Sequence, residues 1–129
     1  MFNIILLVSM VCILFDGITA VTVNYPEIVH PILNKGLHLV FLVGIDAVVY
    51  MMSGYMLRMT GALPENCGKR FLLHVPYFVN ILIVVLNIGS LEFREGTYTN
   101  YSMGVSAYTC FAMVGIYVLF TLVVFFQRW

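Results

Sequence analysis

Four long apolar runs, separated by three short polar connectors, make up most of the chain. The runs cover residues 2–23, 36–59, 71–91 and 103–126. A helix of about 20 apolar residues crosses the roughly 30 Å hydrocarbon core of a bilayer. Because lipid supplies no hydrogen-bond partners for the backbone, apolar runs of this length are expected to be helical. The pattern therefore predicts an all-α membrane protein in which residues 1–129 form one domain, a bundle of four transmembrane helices.

The amino-acid composition agrees with lipid as the main surroundings of the chain. Of its 129 residues, 62% are hydrophobic and 9% are charged, and the mean hydropathy is +1.01. A soluble domain is about half apolar and about a quarter charged. The formal net charge is zero and Lys and Arg form no cluster, which disfavours a nucleic-acid partner. We therefore expect a multi-pass protein of the bilayer, without a separate soluble catalytic domain in these residues.

Basic residues are distributed unevenly between the two sides of the predicted membrane. If the N-terminus is cytoplasmic, four basic residues fall on the inner side and two, Lys35 and Arg94, on the outer side. The positive-inside rule then predicts cytoplasmic N- and C-termini in the cell membrane. The first run is also compatible with a signal peptide, but it starts without Lys or Arg and carries Asp16 near its end, so we interpret it as a retained span. The inner basic residues are Arg58, Lys69, Arg70 and Arg128.

Two acidic residues, Asp16 and Asp46, lie inside predicted spans. An ionisable side chain at mid-bilayer costs about 2.5–3.5 kcal/mol on insertion scales, so such residues often have a function. If the first two helices are antiparallel neighbours, both acids can lie on one polar seam. That seam is then a proton or ligand site, or else each carboxyl is protonated and hydrogen-bonds to a neighbouring helix for structural reasons.

Polar and small residues recur along one face of each of the last three helices. They are Asp46, Tyr50, Ser53 and Gly54 in the second run, Asn80 and Asn87 in the third, and Ser102, Ser106 and Thr109 in the fourth. Their spacing matches one face of a helix, so we expect the three faces to point at one another. One interpretation is close helix packing, and the other is a ligand cavity between the helices. The candidate ligand-binding residues are Asp16, Asp46, Tyr50, Asn80 and Asn87.

The histidines and cysteines do not indicate a cofactor or an active site. His38 is near the outer end of the second run and His74 near the inner end of the third, so they cannot together ligate one haem. Cys12, Cys67 and Cys110 contain no Cys-x-x-Cys pair, which disfavours a zinc site or a disulfide framework. No nucleophile triad or phosphate-binding motif occurs. We therefore predict no metal, no cofactor and no enzymatic activity for this chain.

The order of these features resembles that of a known family. The first run ends in Phe15-Asp16-Gly17-Ile18-Thr19-Ala20-Val21, and the last is preceded by Glu95-Gly96-Thr97-Tyr98-Thr99-Asn100-Tyr101-Ser102-Met103-Gly104. Together they look like the N-terminal membrane sensor region of GGDEF-domain diguanylate cyclases of Firmicutes, especially clostridia. The resemblance implies membrane helices that precede a cytoplasmic domain making or degrading cyclic di-GMP. This chain has neither a Gly-Gly-Asp-Glu-Phe nor a Glu-Ala-Leu sequence, so no catalytic residue can be carried over.

Three functions of different classes fit the sequence. The first is a sensory, signal-transmitting membrane module whose helices shift on ligand binding; the resemblance implies that it is the N-terminal part of a cyclic di-GMP signalling protein that continues past Trp129. The second is a small proton-coupled transporter in which Asp46 or Asp16 titrates, and the third is an assembly subunit of a membrane complex. Besides the lipid bilayer, the partners to expect are a small ligand, a membrane-protein neighbour or a second copy of the chain as a homodimer.

Overall fold

The computed structural model describes residues 2–25 and 27–128, and four long α-helices contain most of them. Each helix is long and apolar enough to cross a membrane, which confirms the predicted helical class and the prediction of four helices of membrane-spanning length. Many of their large apolar side chains point outward; Ile13, for example, is 70% exposed. Such a surface suits lipid rather than water. The helices are α1 (Phe2–Thr22), α2 (Pro31–Met59), α3 (Cys67–Asn87) and α4 (Val105–Arg128).

Two helices begin earlier than the apolar pattern predicts. α2 begins at Pro31 rather than at residue 36, because proline suits the first helical position and the His30 Nδ1 accepts a hydrogen bond from the Ile32 N–H at 3.3 Å. α3 begins at Cys67 rather than at residue 71, after Asn66, whose side-chain oxygen accepts a hydrogen bond from the Gly68 N–H at 2.9 Å. Capping residues are polar, so they lie outside the apolar runs that predict the helices.

The connector between α3 and α4 contains a β-hairpin that the sequence pattern did not predict. A 3₁₀ turn, Ile88–Ser90, follows α3, and β1 (Glu92–Arg94) then pairs antiparallel with β2 (Tyr101–Met103). Gly104 joins the hairpin to α4 with a φ of 145°, and a Cβ there would lie 3.1 Å from the Ser90 carbonyl oxygen. Only glycine adopts this conformation without strain, and α4 therefore begins at residue 105 rather than 103. The paired strand residues are Glu92 with Met103, Phe93 with Ser102, and Arg94 with Tyr101.

α2 is the central helix of the bundle. It contacts α1, α3 and α4, and α3 also contacts α4. The tightest part of the core consists of Leu42, Val84 and Cys110, one residue from each of α2, α3 and α4, and none is more than 1% exposed. The fold thus consists of a three-helix core with α1 packed against the side of α2. The three polar faces predicted to meet belong to these three helices.

One end of the bundle, which we call the hairpin end, is held together by hydrogen bonds between separate connectors. The Asn24 Nδ2 donates to the Thr99 Oγ1 at 3.0 Å, and the Asn100 N–H donates to the Asn24 Oδ1 at 2.9 Å. The ammonium of Lys35, early in α2, donates to the carbonyl oxygen of Gly89. These contacts tie the α1–α2 connector and the start of α2 to the segment between α3 and α4.

The opposite end, which we call the basic end, carries Arg58, Lys69 and Arg70. The connector over residues 60–66 makes hydrogen bonds, within the described part of the chain, only to itself and to the adjoining ends of α2 and α3. The N-terminal part of α1 also lies at this end, since the ring of Phe2 packs 6.3 Å from that of Tyr55. The basic end therefore lacks the cross-links that fix the hairpin end.

Candidate ligand-binding site

Three polar side chains meet in the middle of the three-helix core, and we call them the buried triad: Asp46, Asn80 and Cys110. The Asn80 Nδ2 donates a hydrogen bond to the Asp46 Oδ2 at 2.5 Å. The Cys110 thiol lies against the Asp46 carboxyl and donates to the Leu42 carbonyl oxygen at 3.5 Å. The three residues are 4%, 3% and 0% exposed, so all three are buried in the core. The triad joins α2, α3 and α4 by polar contacts in place of apolar ones.

Hydroxyl groups extend these polar contacts on both sides of the buried triad. Toward the hairpin end, the Ser106 Oγ donates to the Val84 carbonyl oxygen at 3.0 Å. Toward the basic end, the Ser53 and Thr121 hydroxyls form a hydrogen bond of 2.7 Å between α2 and α4. Small hydroxyl side chains let membrane helices approach closely and bond across the gap. In these parts of the seam the packing interpretation of the polar stripe is therefore correct.

An aromatic cluster lies one helical turn beyond the triad, toward the basic end, and consists of Tyr50, His74, Tyr77 and Tyr117. The rings of Tyr50 and Tyr77 stack, with centroids 4.2 Å apart and planes at 9°. The Tyr50 hydroxyl forms a hydrogen bond with the His74 Nδ1. The ring of Tyr117 meets that of Tyr50 edge-on at 6.1 Å, and its hydroxyl donates to the Leu73 carbonyl oxygen at 3.1 Å. Tyr50, His74 and Tyr117 form the inner wall of an open space between the helices.

That space, the basic-end cavity, has a volume of about 120 Å³ and lies between α2, α3 and α4. Its mouth carries two exposed arginines, Arg58 from α2 and Arg70 from α3. Among the described residues the ion pair that forms is Arg94–Glu92, at 3.5 Å, so neither of these arginines pairs with an acid there. The cavity thus combines an aromatic inner wall, apolar sides and a cationic mouth. Its other walls include Ser53, Gly54, Leu57, Leu63, Leu73 and Phe120.

The structure brings together only part of the predicted site. Asp46 and Asn80 bond to each other, as a shared seam requires, but they lie deeper than the cavity and do not line it. Of the five candidate residues, Tyr50 alone lines the basic-end cavity. The expected seam is therefore two adjoining features: a closed polar triad that fastens the helices, and a cavity next to it.

Asp16 and Asn87 lie outside the seam, contrary to the prediction. α1 turns Ile5 and Thr19 toward the bundle, and Asp16, three residues before Thr19, is rotated about 60° from that face and is exposed. Asn87 lies at the last turn of α3, where its Nδ2 donates to the carbonyl oxygen of Ile83 in the same helix at 2.9 Å. Neither side chain reaches Asp46, since Asp16 is turned away from the bundle and Asn87 lies seven residues beyond Asn80, about 10 Å further along α3.

The sequence pattern missed several residues that form the site. Cys110 is not among the candidate residues that the sequence predicts, yet its thiol completes the triad. The signal for it was present, because Ser106, Cys110, Tyr117 and Thr121 recur at intervals of four, seven and four along one face of α4. The two arginines had been considered only as a topology signal.

The histidines lie at opposite ends of the bundle. His38 is 4% exposed, its Nδ1–H donates to the Asn34 carbonyl oxygen at 3.0 Å, and its ring packs against that of Phe93 with centroids 5.0 Å apart. His74 lies in the aromatic cluster, toward the basic end. Within residues 2–25 and 27–128 no three His, Cys, Asp or Glu side chains come together as metal ligands.

Comparisons with known proteins add no further constraint. The chain matches no protein-family model, and neither a curated protein nor a solved structure shows significant similarity to it. Its function must therefore be inferred from its own residues.

Proposed function

We propose that this chain is a sensory, signal-transmitting module of the cell membrane, in which a ligand in the basic-end cavity changes the packing of α2, α3 and α4. One observation carries the proposal: the cavity lies between three helices at the end where the connector over residues 60–66 joins α2 to α3 but makes no hydrogen bond, within the described residues, to α4. A ligand placed there can move the end of α4 relative to those of α2 and α3. The hairpin end then acts as the fixed point of the movement.

The proposed orientation places the basic end in the cytoplasm. Arg58, Lys69 and Arg70 lie at that end, whereas Lys35 and Arg94 lie at the hairpin end, and the positive-inside rule favours this arrangement. Both termini are then cytoplasmic. The resemblance to GGDEF-associated sensor regions supports the same direction of signalling, toward a cytoplasmic output that receives the movement of α4.

Filling the cavity with a side chain tests the proposal without knowledge of the ligand. Gly54 lines the cavity, so Gly54→Leu should imitate an occupied state. Gly115→Leu is the matched control, because a side chain at Gly115 on α4 meets nothing within 4 Å. Spin labels replace Met59 and Phe126, which are 68% and 75% exposed near the basic end of α2 and α4.

Electron spin resonance then measures the distance between the two labels in lipid nanodiscs. We expect Gly54→Leu to shift it by about 1–2 Å or more, the size of a common helix displacement in switching proteins, and Gly115→Leu to leave it unchanged. Equal distances in the two variants and the parent chain would contradict the sensory proposal.

A proton-coupled transporter is the second candidate, and the carboxyl of Asp46 favours it, because an acid buried between membrane helices is a common element of proton pathways. Proteoliposomes with an internal pH dye measure the flux. A transporter loses its flux in Asp46→Asn and keeps it in Asp16→Asn, whose side chain faces outward. Absence of flux in the parent chain, or equal flux in both variants, excludes this function.

A further inference from the structure

We infer that the ligand of the basic-end cavity is an anionic amphiphile with one acyl chain, which places its carboxylate or phosphate on Arg58 and Arg70 and its chain between the helices. The inference rests on the proposed function, since it names the ligand class of the same cavity. Each feature of the cavity excludes other classes of ligand.

The charge of the mouth selects an anion. Arg58 and Arg70 come from different helices and line one opening, and neither pairs with an acid among the described residues. Glu65, the acidic residue of the intervening connector, is exposed and forms no ion pair with either of them. A guanidinium group binds a carboxylate or phosphate through two parallel hydrogen bonds, and two such groups favour an anionic head strongly over a neutral one.

The walls of the basic-end cavity favour a ligand whose body is apolar. Leu57, Leu73 and Phe120 form the sides of the cavity. The hydroxyls of Tyr50 and Tyr117 are already hydrogen-bonded, to His74 and to the Leu73 carbonyl, so the inner wall presents mainly ring surface. A sugar or another ligand with many hydroxyls would lose its hydrogen bonds to water and regain few of them here.

The small size of the cavity favours a ligand with a single, narrow acyl chain. Its volume of about 120 Å³ is well below the roughly 300–1,000 Å³ of pockets that enclose drug-sized molecules, so it takes only the part of an acyl chain next to the head, and the rest of the chain extends into the surrounding lipid. A single acyl chain enters a narrow opening between helices, whereas a fused-ring metabolite does not. The mouth lies at the end of the membrane-length helices, where the head of an amphiphile lies in a bilayer.

Binding of radiolabelled oleate to the purified chain, in nanodiscs of phosphatidylcholine, tests the role of the two arginines. The variant Arg58→Gln/Arg70→Gln is compared with Lys69→Gln, which removes one positive charge from the first turn of α3 at the same end of the bundle but from a residue that does not line the cavity. The double variant loses the charge-assisted hydrogen bonds to the anionic head, so it should bind about tenfold more weakly or worse. Lys69→Gln should bind like the parent chain, and an equal loss in both would overturn the inference, since it indicates general attraction to basic residues.

Competition by other compounds tests the anionic head and the acyl chain of the ligand separately. Lysophosphatidic acid, with one acyl chain and a phosphate, should displace the radiolabelled oleate, as unlabelled oleate does. Whichever of these two compounds displaces it at the lower concentration identifies the source of the ligand as a lysophospholipid or a free fatty acid. Oleyl alcohol lacks the charge and inorganic phosphate lacks the chain, so neither should compete. Displacement by oleyl alcohol as strong as that by lysophosphatidic acid, or displacement by inorganic phosphate alone, would refute an anionic amphiphile.

A cavity-filling variant keeps the test independent of charge. Gly54→Leu retains both arginines and should weaken oleate binding, whereas Gly115→Leu should not; circular dichroism checks that each variant stays helical. The spin-label distance between positions 59 and 126 separates the two proposals. Oleate that binds as expected without changing this distance leaves the ligand class standing and refutes the sensory function. A distance that responds to Gly54→Leu in a chain that does not bind oleate refutes the ligand class alone.

Discussion

Asp46 and Asp16 are the same residue type in adjacent membrane-length helices, yet their surroundings are opposite. Asp46 is 4% exposed and accepts a hydrogen bond from Asn80, whereas the Asp16 side chain is exposed and forms no hydrogen bond or ion pair with the described residues. The difference follows from the positions of their helices, because α2 is enclosed by three neighbours and α1 packs mainly on one. An acid within an apolar run therefore indicates a site only where other helices enclose it.

The sharpest contrast between the two acids should be their chemical accessibility. An apolar carbodiimide dissolves in the bilayer and modifies carboxyl groups that it can reach. We expect it to label Asp16 and to leave Asp46 unmodified, because Asn80 and Cys110 cover the latter. Peptide mass spectrometry locates the label, and Asp16→Asn, in which labelling of this span should disappear, is the control. Preferential labelling of Asp46 would mean that the core opens to lipid.

Removal of the donor to Asp46 should cause the largest loss of stability. Asn80→Leu keeps the approximate size of the side chain but leaves the buried Asp46 Oδ2 without its hydrogen bond, so we expect the free energy of unfolding to fall by about 1–2 kcal/mol. Unfolding in mixed micelles with increasing dodecyl sulfate measures the change. Asn87→Leu is the matched control, since that amide bonds only within its own helix, and it should lose clearly less.

A second change at Asp46 should recover part of that loss. In the variant Asp46→Leu/Asn80→Leu both polar groups are replaced by apolar ones, and such a replacement is often close to neutral. We expect the double variant to be more stable than Asn80→Leu alone by about 1 kcal/mol, measured in the same micelles. Additive losses would mean instead that each side chain has an independent partner.

The smallest effect on folding should come from Asp16. Because its carboxyl makes no hydrogen bond within the described residues, Asp16→Leu should change the free energy of unfolding by less than about 0.5 kcal/mol. The same unfolding assay, with crosslinking of the parent chain and the variant to compare their oligomeric states, checks this. A larger loss accompanied by the disappearance of a crosslinked dimer would show that Asp16 is covered by a second copy and is not lipid-facing.

The helix boundaries show which features the apolar pattern can predict and which it cannot. The pattern located each span but placed the starts of α2 and α3 too late, since the caps at His30 and Asn66 are polar. It also gave no indication of the hairpin between α3 and α4, whose strands have three residues each. Strands this short leave almost no periodic signal, and their pairing depends on a close turn in which a Cβ at Gly96 would clash with the Thr99 carbonyl oxygen.

The candidate site was predictable only where one helix could be considered by itself. The stripe from Asp46 to Ser53 on α2 was correct as a buried face, and Asn80 lies opposite it. The cavity was misplaced by about one helical turn, toward the triad, because the sequence does not reveal that Asn80 and Cys110 fill the space beside Asp46. Arg58 and Arg70 meet at one opening only after α2 and α3 pack side by side.

The sequence by itself determined that the chain forms four membrane-length helices joined by short connectors. It could do so because lipid requires each span to satisfy its own backbone hydrogen bonds, so length and apolarity suffice. The tertiary structure alone decided which polar side chains meet and which face outward. That choice depends on the rotation of each helix about its axis and on the depth of each residue along it, and Asp16 lies about 60° away from the face of α1 that buries Thr19.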